Sequence, residues 1–300
     1  MSRILVSGLT NIETALRVEG FPITYSPVRY PFNGVRSTVA GVGIYIGLAL
    51  HTLGDQVDLL TIVGNDMGGQ QTSSALETMG LHTDFVVQTV AQTAQSVILY
   101  DSAGKRQINV DLKDIQETAY PEQSFRTALA GADLAVLCNI NFSRPMLATA
   151  AEAGVPIATD VHTIERLDDP YNADFMRHAD VLFMSDERLP ALPEVWAREV
   201  CAHYGTPVIV IGLGEKGALL CVHGQLTQVA AVQTRPIVNT IGAGDALFSA
   251  FVHFYAAGMD PLPALRHAVV FASYKIGDAG AAEGFLIEKA LLELAGEVSA

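Results

Sequence analysis

The sequence predicts an α/β fold: a doubly wound, mostly parallel sheet with helices on both faces, plus a small β-sheet lid. Three observations carry that expectation. Short β-branched runs alternate with longer helical patterns along most of the chain. The runs are almost continuously apolar, as strands covered on both faces require. Two turn-marked stretches break the rhythm and read as hairpins.

The expected strands are Ile4–Val6, Val57–Val63, Leu134–Leu137, Pro156–Thr159, Val181–Phe183 and Val208–Ile211. Helical patterns lie between them at about 41–53, 67–79, 121–130, 144–153, 172–178 and 193–204. Strand, helix and strand repeated in this way give a parallel sheet with right-handed crossovers. From about 243 the chain turns mostly helical, over 243–257, 261–276 and 286–297. Residues 22–39 contain Asn33-Gly34, the signal of a two-residue type I′ hairpin. Residues 95–111 read as a second hairpin turning near Ser102-Ala103-Gly104. An isolated hairpin is marginal in water, so the two are expected to pair as one lid on a single domain spanning 1–300.

Half of the 300 residues are hydrophobic and 17% are charged, which excludes a disordered chain. Eighteen basic against 32 acidic side chains leave a net charge of −14. Binding to nucleic acid or to an anionic membrane would need a basic surface, so neither partner is expected. Cys138, Cys201 and Cys221 are far apart and form no CxxC pair, which points to reduced thiols. The longest apolar stretch, Val39–Leu50, falls short of the ~18 to 20 residues of a membrane span. With no signal-peptide pattern at the first residues, a soluble cytoplasmic protein is expected. The eight histidines form no HxxxH or HxH pair, which argues against a metal cluster. His253 and His267 lie in apolar helices and read as packed, as do Trp196 and Phe175.

The segment Asn239-Thr-Ile-Gly-Ala-Gly-Asp245 is the most informative. It places Gly242-Ala243-Gly244 between a strand-like Pro236–Val238 and a long apolar helix. Small residues there admit a phosphate to free amides at a helix start, with Asp245 beside it as a proton acceptor. Local physics equally allows a tight turn with Asp245 as a helix-capping acid. Gly212-Leu-Gly214-Glu-Lys-Gly217 matches GxGxxG, yet Ala218–Val222 after it reads as a strand rather than a helix, and no acid follows about twenty positions on. It is a hairpin turn or a glycine-lined nucleotide edge. No GxxxxGK[ST] loop or Gly-x-Ser-x-Gly is present. Asn11 and Glu13 follow the first strand at the edge where doubly wound sheets bind ligands; they hold sugar hydroxyls or cap a turn. Gly41 and Gly43 open the first helix, admitting a substrate or packing helix on strand.

Together these segments resemble the PfkB (ribokinase-like) carbohydrate and nucleoside kinases, in order along almost the whole chain. Gly8-Leu-Thr-Asn-Ile-Glu13 is similar to the family's GxxNxD motif, and Gly41-Val-Gly43 falls at its Gly-Gly region. Val63-Gly-Asn-Asp-Met-Gly68 is similar to GxDxxG, Gly214-Glu-Lys-Gly217 to the GxxG nucleotide loop, and Asn239–Asp245 to DTxGAGD. The resemblance implies ATP-dependent transfer of a γ-phosphoryl to a substrate hydroxyl, such as the CH2OH of a sugar. It implies Asp245 as base, Gly242, Ala243 and Gly244 as anion hole, and Mg²⁺ on the nucleotide phosphates. Asn11, Glu13, Gly41, Gly43 and Tyr45 would hold the acceptor, and Thr240, Gly212, Gly214 and Gly217 the nucleotide. The lid often forms a dimer contact in this family, so a homodimer is expected.

Some positions depart from the pattern. Asn239 stands where many members carry an Asp supporting a monovalent-cation site, so potassium activation is expected to be weak or absent. Glu13 replaces an Asp, Tyr45 an Asn, and Gly212 a phosphate-contacting Thr. Ser185-Asp-Glu-Arg188 stands at the NxxE motif, with Asp186 or Glu187 left to organise the Mg²⁺ waters. A nucleoside kinase is the alternative, with Tyr45, Tyr25, Tyr30 and Phe32 stacking a base. A noncatalytic sugar or nucleotide sensor is the reading from another class.

Overall fold

A computed structural model describes residues 1–102 and 104–299. Its strands and helices, in chain order, are β1 (Arg3–Ser7), β2 (Asn11–Arg17), β3 (Val35–Ala40), α1 (Val42–Leu53), β4 (Gln56–Gly64), α2 (Met67–Thr78), β5 (Val86–Val90), β6 (Gln95–Tyr100) and β7 (Arg106–Asp111). There follow α3 (Glu122–Leu129), β8 (Leu134–Leu137), α4 (Arg144–Glu152), β9 (Ile157–Asp160), α5 (Ala173–His178), β10 (Val181–Ser185), α6 (Pro193–Tyr204), β11 (Val208–Gly212), β12 (Ala218–Val222), β13 (Gln225–Val229), α7 (Ala243–Ala256), α8 (Pro261–Lys275) and α9 (Glu288–Ser299).

A nine-stranded sheet runs β13-β12-β11-β10-β9-β8-β1-β4-β5. Its pairings are parallel except at the β11-β12-β13 edge. The apolar strands alternate between two buried layers, because successive side chains leave a strand on opposite faces. Ile4, Val6, Val57, Leu59, Phe183 and Val210 pack with α1, α7 and α8. Leu5, Leu60, Ile62, Leu182, Met184 and Ile209 pack with α3 to α6. Phe175 and Trp196 are buried in the second layer. His253 is buried in the first, its Nδ1 2.7 Å from Asp55 Oδ2. The order of strands reverses between β1 and β8, so a crevice opens at their carboxyl ends.

The smaller sheet, β3-β2-β6-β7, corrects one expected hairpin. Residues 22–34 form no strand; β3 pairs instead with β2, across the connection 18–34. A type I′ turn needs positive φ at both central residues. Asn33 has φ 54, but Gly34 does not share it, and the Gly34 amide closes a turn on Pro31 O at 2.8 Å. Asn11 and Glu13 therefore belong to a separate strand rather than to the end of β1. The second hairpin forms as expected from β6 and β7; Ala103 at its turn lies outside the described residues. Pro236–Val238, expected as a strand, is an exposed segment tied to α8 by Val238 and Asn239 amides on Ile276 O, at 2.9 and 3.1 Å.

Asp66, in the GxDxxG-like segment, shows how local chemistry sets an element. Its carboxylate caps α2, accepting from the Gly69 amide at 2.9 Å, the Thr93 amide at 3.0 Å and the Thr93 hydroxyl at 2.6 Å. Burial pushes its pKa up, but these donors outweigh that and hold the carboxyl below its usual range. Asp66→Ala is expected to lower stability by about 1–3 kcal/mol, read from urea midpoints. A midpoint equal to the parent's would mean that the cap contributes nothing.

Candidate active site

Gly242 caps α7 with φ 75, and a Cβ there would lie 3.0 Å from Ala281 O. Both facts demand glycine. The Ala243 amide turns back to Thr240 O at 3.2 Å. The amides of Gly244 and Asp245 lie in the first turn, where a helix offers no internal acceptor. Gly244 faces open space, with no heavy atom within 4 Å of where a Cβ would stand. An anion has room to reach these donors.

Asp245 occupies that first turn and is half-buried. Burial raises its pKa to about 6; His162 and Lys275 oppose the rise and Asp160 adds to it. Desolvation outweighs the pull of the helix start, yet with a pKa near 6 the carboxyl is still mostly ionised at pH 7. Tyr45 joins the same cluster: burial raises its phenol pKa, and the charges of Glu13 and Asp245 raise it further. Cys138, buried just after β8, is pushed up by burial, by Asp245 and by Asp160, so it stays a neutral thiol.

Glu13 comes from the second sheet. Strand register puts Asn11, Glu13, Arg36, Thr38 and Ser96 on one face. The Asn11 amide donates to Ser96 Oγ at 2.7 Å. Burial raises the Glu13 pKa and the Arg36 charge moderates it. Arg36 also bridges to Glu283 at 3.0 Å, tying the small sheet to the loop after α8.

The remaining expected residues divide. Gly212 ends β11 opposite Ser185, and the Asp186 amide donates to Gly212 O at 3.0 Å, so Asp186 and Glu187 share that strand edge. Gly214 faces open space. Gly217, with φ 98, packs so that a Cβ would lie 2.1 Å from Val229 O, in the turn between β11 and β12. Gly41 and Gly43 pack likewise: their Cβ atoms would stand 2.4 Å from Leu9 O and 2.8 Å from Gly8 O. They seat α1 on the strand end. Thr240 is exposed beside the anion turn. Both ends of the Asn239 amide are engaged, Nδ2 on Ala279 O at 2.8 Å and Oδ1 with the Ile241 amide at 3.0 Å.

Sequence reading missed Asp160, His162, Arg36 and Lys275. Asp160 ends β9, and its Oδ1 accepts the His162 amide at 2.7 Å. A carboxylate at the carboxyl end of an expected parallel strand was the available signal. Among the described residues no group of three or more His, Cys, Asp or Glu is placed to hold a metal.

An amide cradle and an ionisable acid at the carboxyl edge of a doubly wound sheet are the equipment of a small-molecule phosphotransferase. A family model described as pfkB family carbohydrate kinase matches residues 1–288, and the chain belongs to that family. It is an ATP-dependent sugar kinase with a ribokinase-like fold, and members of the family act on sugar hydroxyl groups. The chain is similar to the ATP-dependent ribose-1-phosphate kinase of Halopiger xanaduensis, 28% identical over 292 residues covering 94% of each. To the Bifunctional protein HldE of Mesorhizobium japonicum it is 23% identical over 279 residues, 83% of this chain; it spans 53% of that protein's length. The microbiome-derived acarbose kinase Mak1 shares the fold, with TM-score 0.89 at 23% identity over 99% of both chains. Among the described residues no helix is long and apolar enough to cross a membrane.

Proposed function

We propose that the protein transfers the γ-phosphoryl group of ATP to a primary hydroxyl of a sugar, with Asp245 as general base. The observation that carries this is Asp245 itself: an acid with pKa near 6, set beside the open amides of the α7 start. As the acceptor oxygen bonds to the γ-phosphorus, the hydroxyl proton passes to Asp245. The bond from phosphorus to the β-phosphate oxygen breaks, and ADP leaves. Gly242, Ala243 and Gly244 with the helix end stabilise the charge on the transferring group. Mg²⁺, when bound, neutralises the nucleotide phosphates, and Asp186 and Glu187 would hold its waters. Asn11, Glu13 and Tyr45 would hold the acceptor, while Thr240, Gly212 and Gly214 would line the nucleotide site. For Gly41, Gly43 and Gly217 the packing favours a supporting role.

A panel of sugars and nucleosides with Mg-ATP, scored by ADP release, tests the reading. Release only with nucleosides would shift the acceptor class, and the exposed Tyr25, Tyr30 and Phe32 would gain meaning. No release with any acceptor would favour a sensor. The pH profile is a second check. A base must be unprotonated, so kcat/KM is expected to fall about tenfold per pH unit below about 6. A flat profile from pH 5 to 8 would exclude Asp245.

The second sheet would act as a lid that keeps water from competing with the acceptor. Amides of β3, β6 and β7 should gain hydrogen-exchange protection when acceptor saturates; unchanged exchange would end the closure idea. Exposed Val35 and Val97 on the outer face suit a dimer contact. A cytoplasmic location accords with such an enzyme.

A further inference from the structure

Lys275 is a fully buried cation that the reaction above does not use. It ends α8, and its side chain is wholly enclosed. A lysine is almost never buried completely unless partners replace its hydration. Its Nζ donates to the carbonyl oxygen of Ile241, immediately before Gly242. Burial lowers its pKa, and Asp245 on α7 with Asp278 and Glu283 on the following loop oppose that. The loop that it grips is pinned again by Asn239, which bonds to Ala279 O and to the Ile241 amide. Asn239 brings no charge to this place; Lys275 brings one.

We propose that Lys275 is a built-in monovalent cation. Its ammonium fixes the Ile241 carbonyl behind the Gly242–Gly244 turn and so aims the first-turn amides. It holds permanently the positive charge that this carbonyl and the nearby carboxylates require, so no dissolved potassium is needed. Lys275 acts through the turn and is a positioning residue. The consequence for turnover rests on the kinase reading; the cation assignment does not.

The test compares parent, Lys275→Ala and Lys275→Met in potassium, ammonium, sodium and choline chlorides at matched ionic strength. Both Tm and kcat are read. The parent should respond alike to all four salts. The Ala variant leaves space, and its kcat should fall roughly tenfold or more through misplaced amides, with acceptor KM little changed. Potassium or ammonium, but not choline, should restore part of that loss and raise its Tm, as a ligand bound only by the native state does. The Met variant keeps the stem's packing without the charge, and should stay slow in every salt. If Ala fails to fold, Met decides: a parent-like kcat overturns the proposal, and a loss in kcat at constant KM sustains it. Potassium-specific activation of the parent, or a folded Ala variant whose loss no small cation repairs, would also overturn it. A cation-specific Tm rise in Ala with no turnover in the parent would sink the kinase reading and leave the assignment of Lys275 standing.

Discussion

Asp245→Asn is expected to lower kcat by roughly 10²- to 10⁴-fold, the usual contribution of a general base, while making the protein more stable at pH 8. The two effects share one cause. Folding raises the carboxyl pKa from 3.8 to about 6 because burial disfavours its charge. A raised pKa contributes stability that is fully present below pH 3.8 and is lost as pH rises through about 6. Asparagine stays neutral throughout, so the gain in Tm should appear above pH 6 and shrink toward pH 4. Nucleotide affinity should hardly move, since the amides remain. A helix-capping acid would give another result, because Asn caps as well as Asp. A kcat within a few-fold of the parent, with a verified acceptor, would end the assignment.

Gly41→Ala should be strongly damaging, and its damage should be to the fold. With φ 116 and a Cβ only 2.4 Å from Leu9 O, alanine must move the start of α1 away from the chain leaving β1. The backbone strain alone is about 1–3 kcal/mol, before any clash. The urea midpoint should fall sharply, with activity lost in proportion to unfolded protein. A variant with parent-like stability and a raised acceptor KM would instead make Gly41 a substrate contact.

Most of the parallel strands were legible because β1, β4 and β8 to β11 are covered on both faces and therefore apolar throughout. Three strands escaped for the opposite reason. β2, β5 and β13 are half-buried or exposed over most of their length, so ladder bonding rather than burial defines them. The misplaced hairpin has the same root: Asn33-Gly34 is a real turn signal, but its strand partner lies at 11–17. In the site, Asp245 and the glycines before it were legible because they are contiguous. Arg36, Asp160, His162 and Lys275 reach the cluster from separate elements. Lys275 in particular looks like an ordinary basic residue closing a helix, where the dipole favours one. Only packing shows that it points inward.

The cradle at the start of α7 offers an anion neutral amides and a helix end, with the enclosed Lys275 ammonium behind the turn, and the pull of that helix end fades beyond the first turn. The protein around it carries −14, and that field reaches about one Debye length, roughly 10 Å at 0.1 M salt. A nucleotide polyanion is thus repelled on approach and held only on arrival. Electrolyte screens the repulsion and leaves the short amide contacts nearly untouched. Diffusional capture of nucleotide then quickens with ionic strength, the reverse of an enzyme that draws its anions in through a basic funnel.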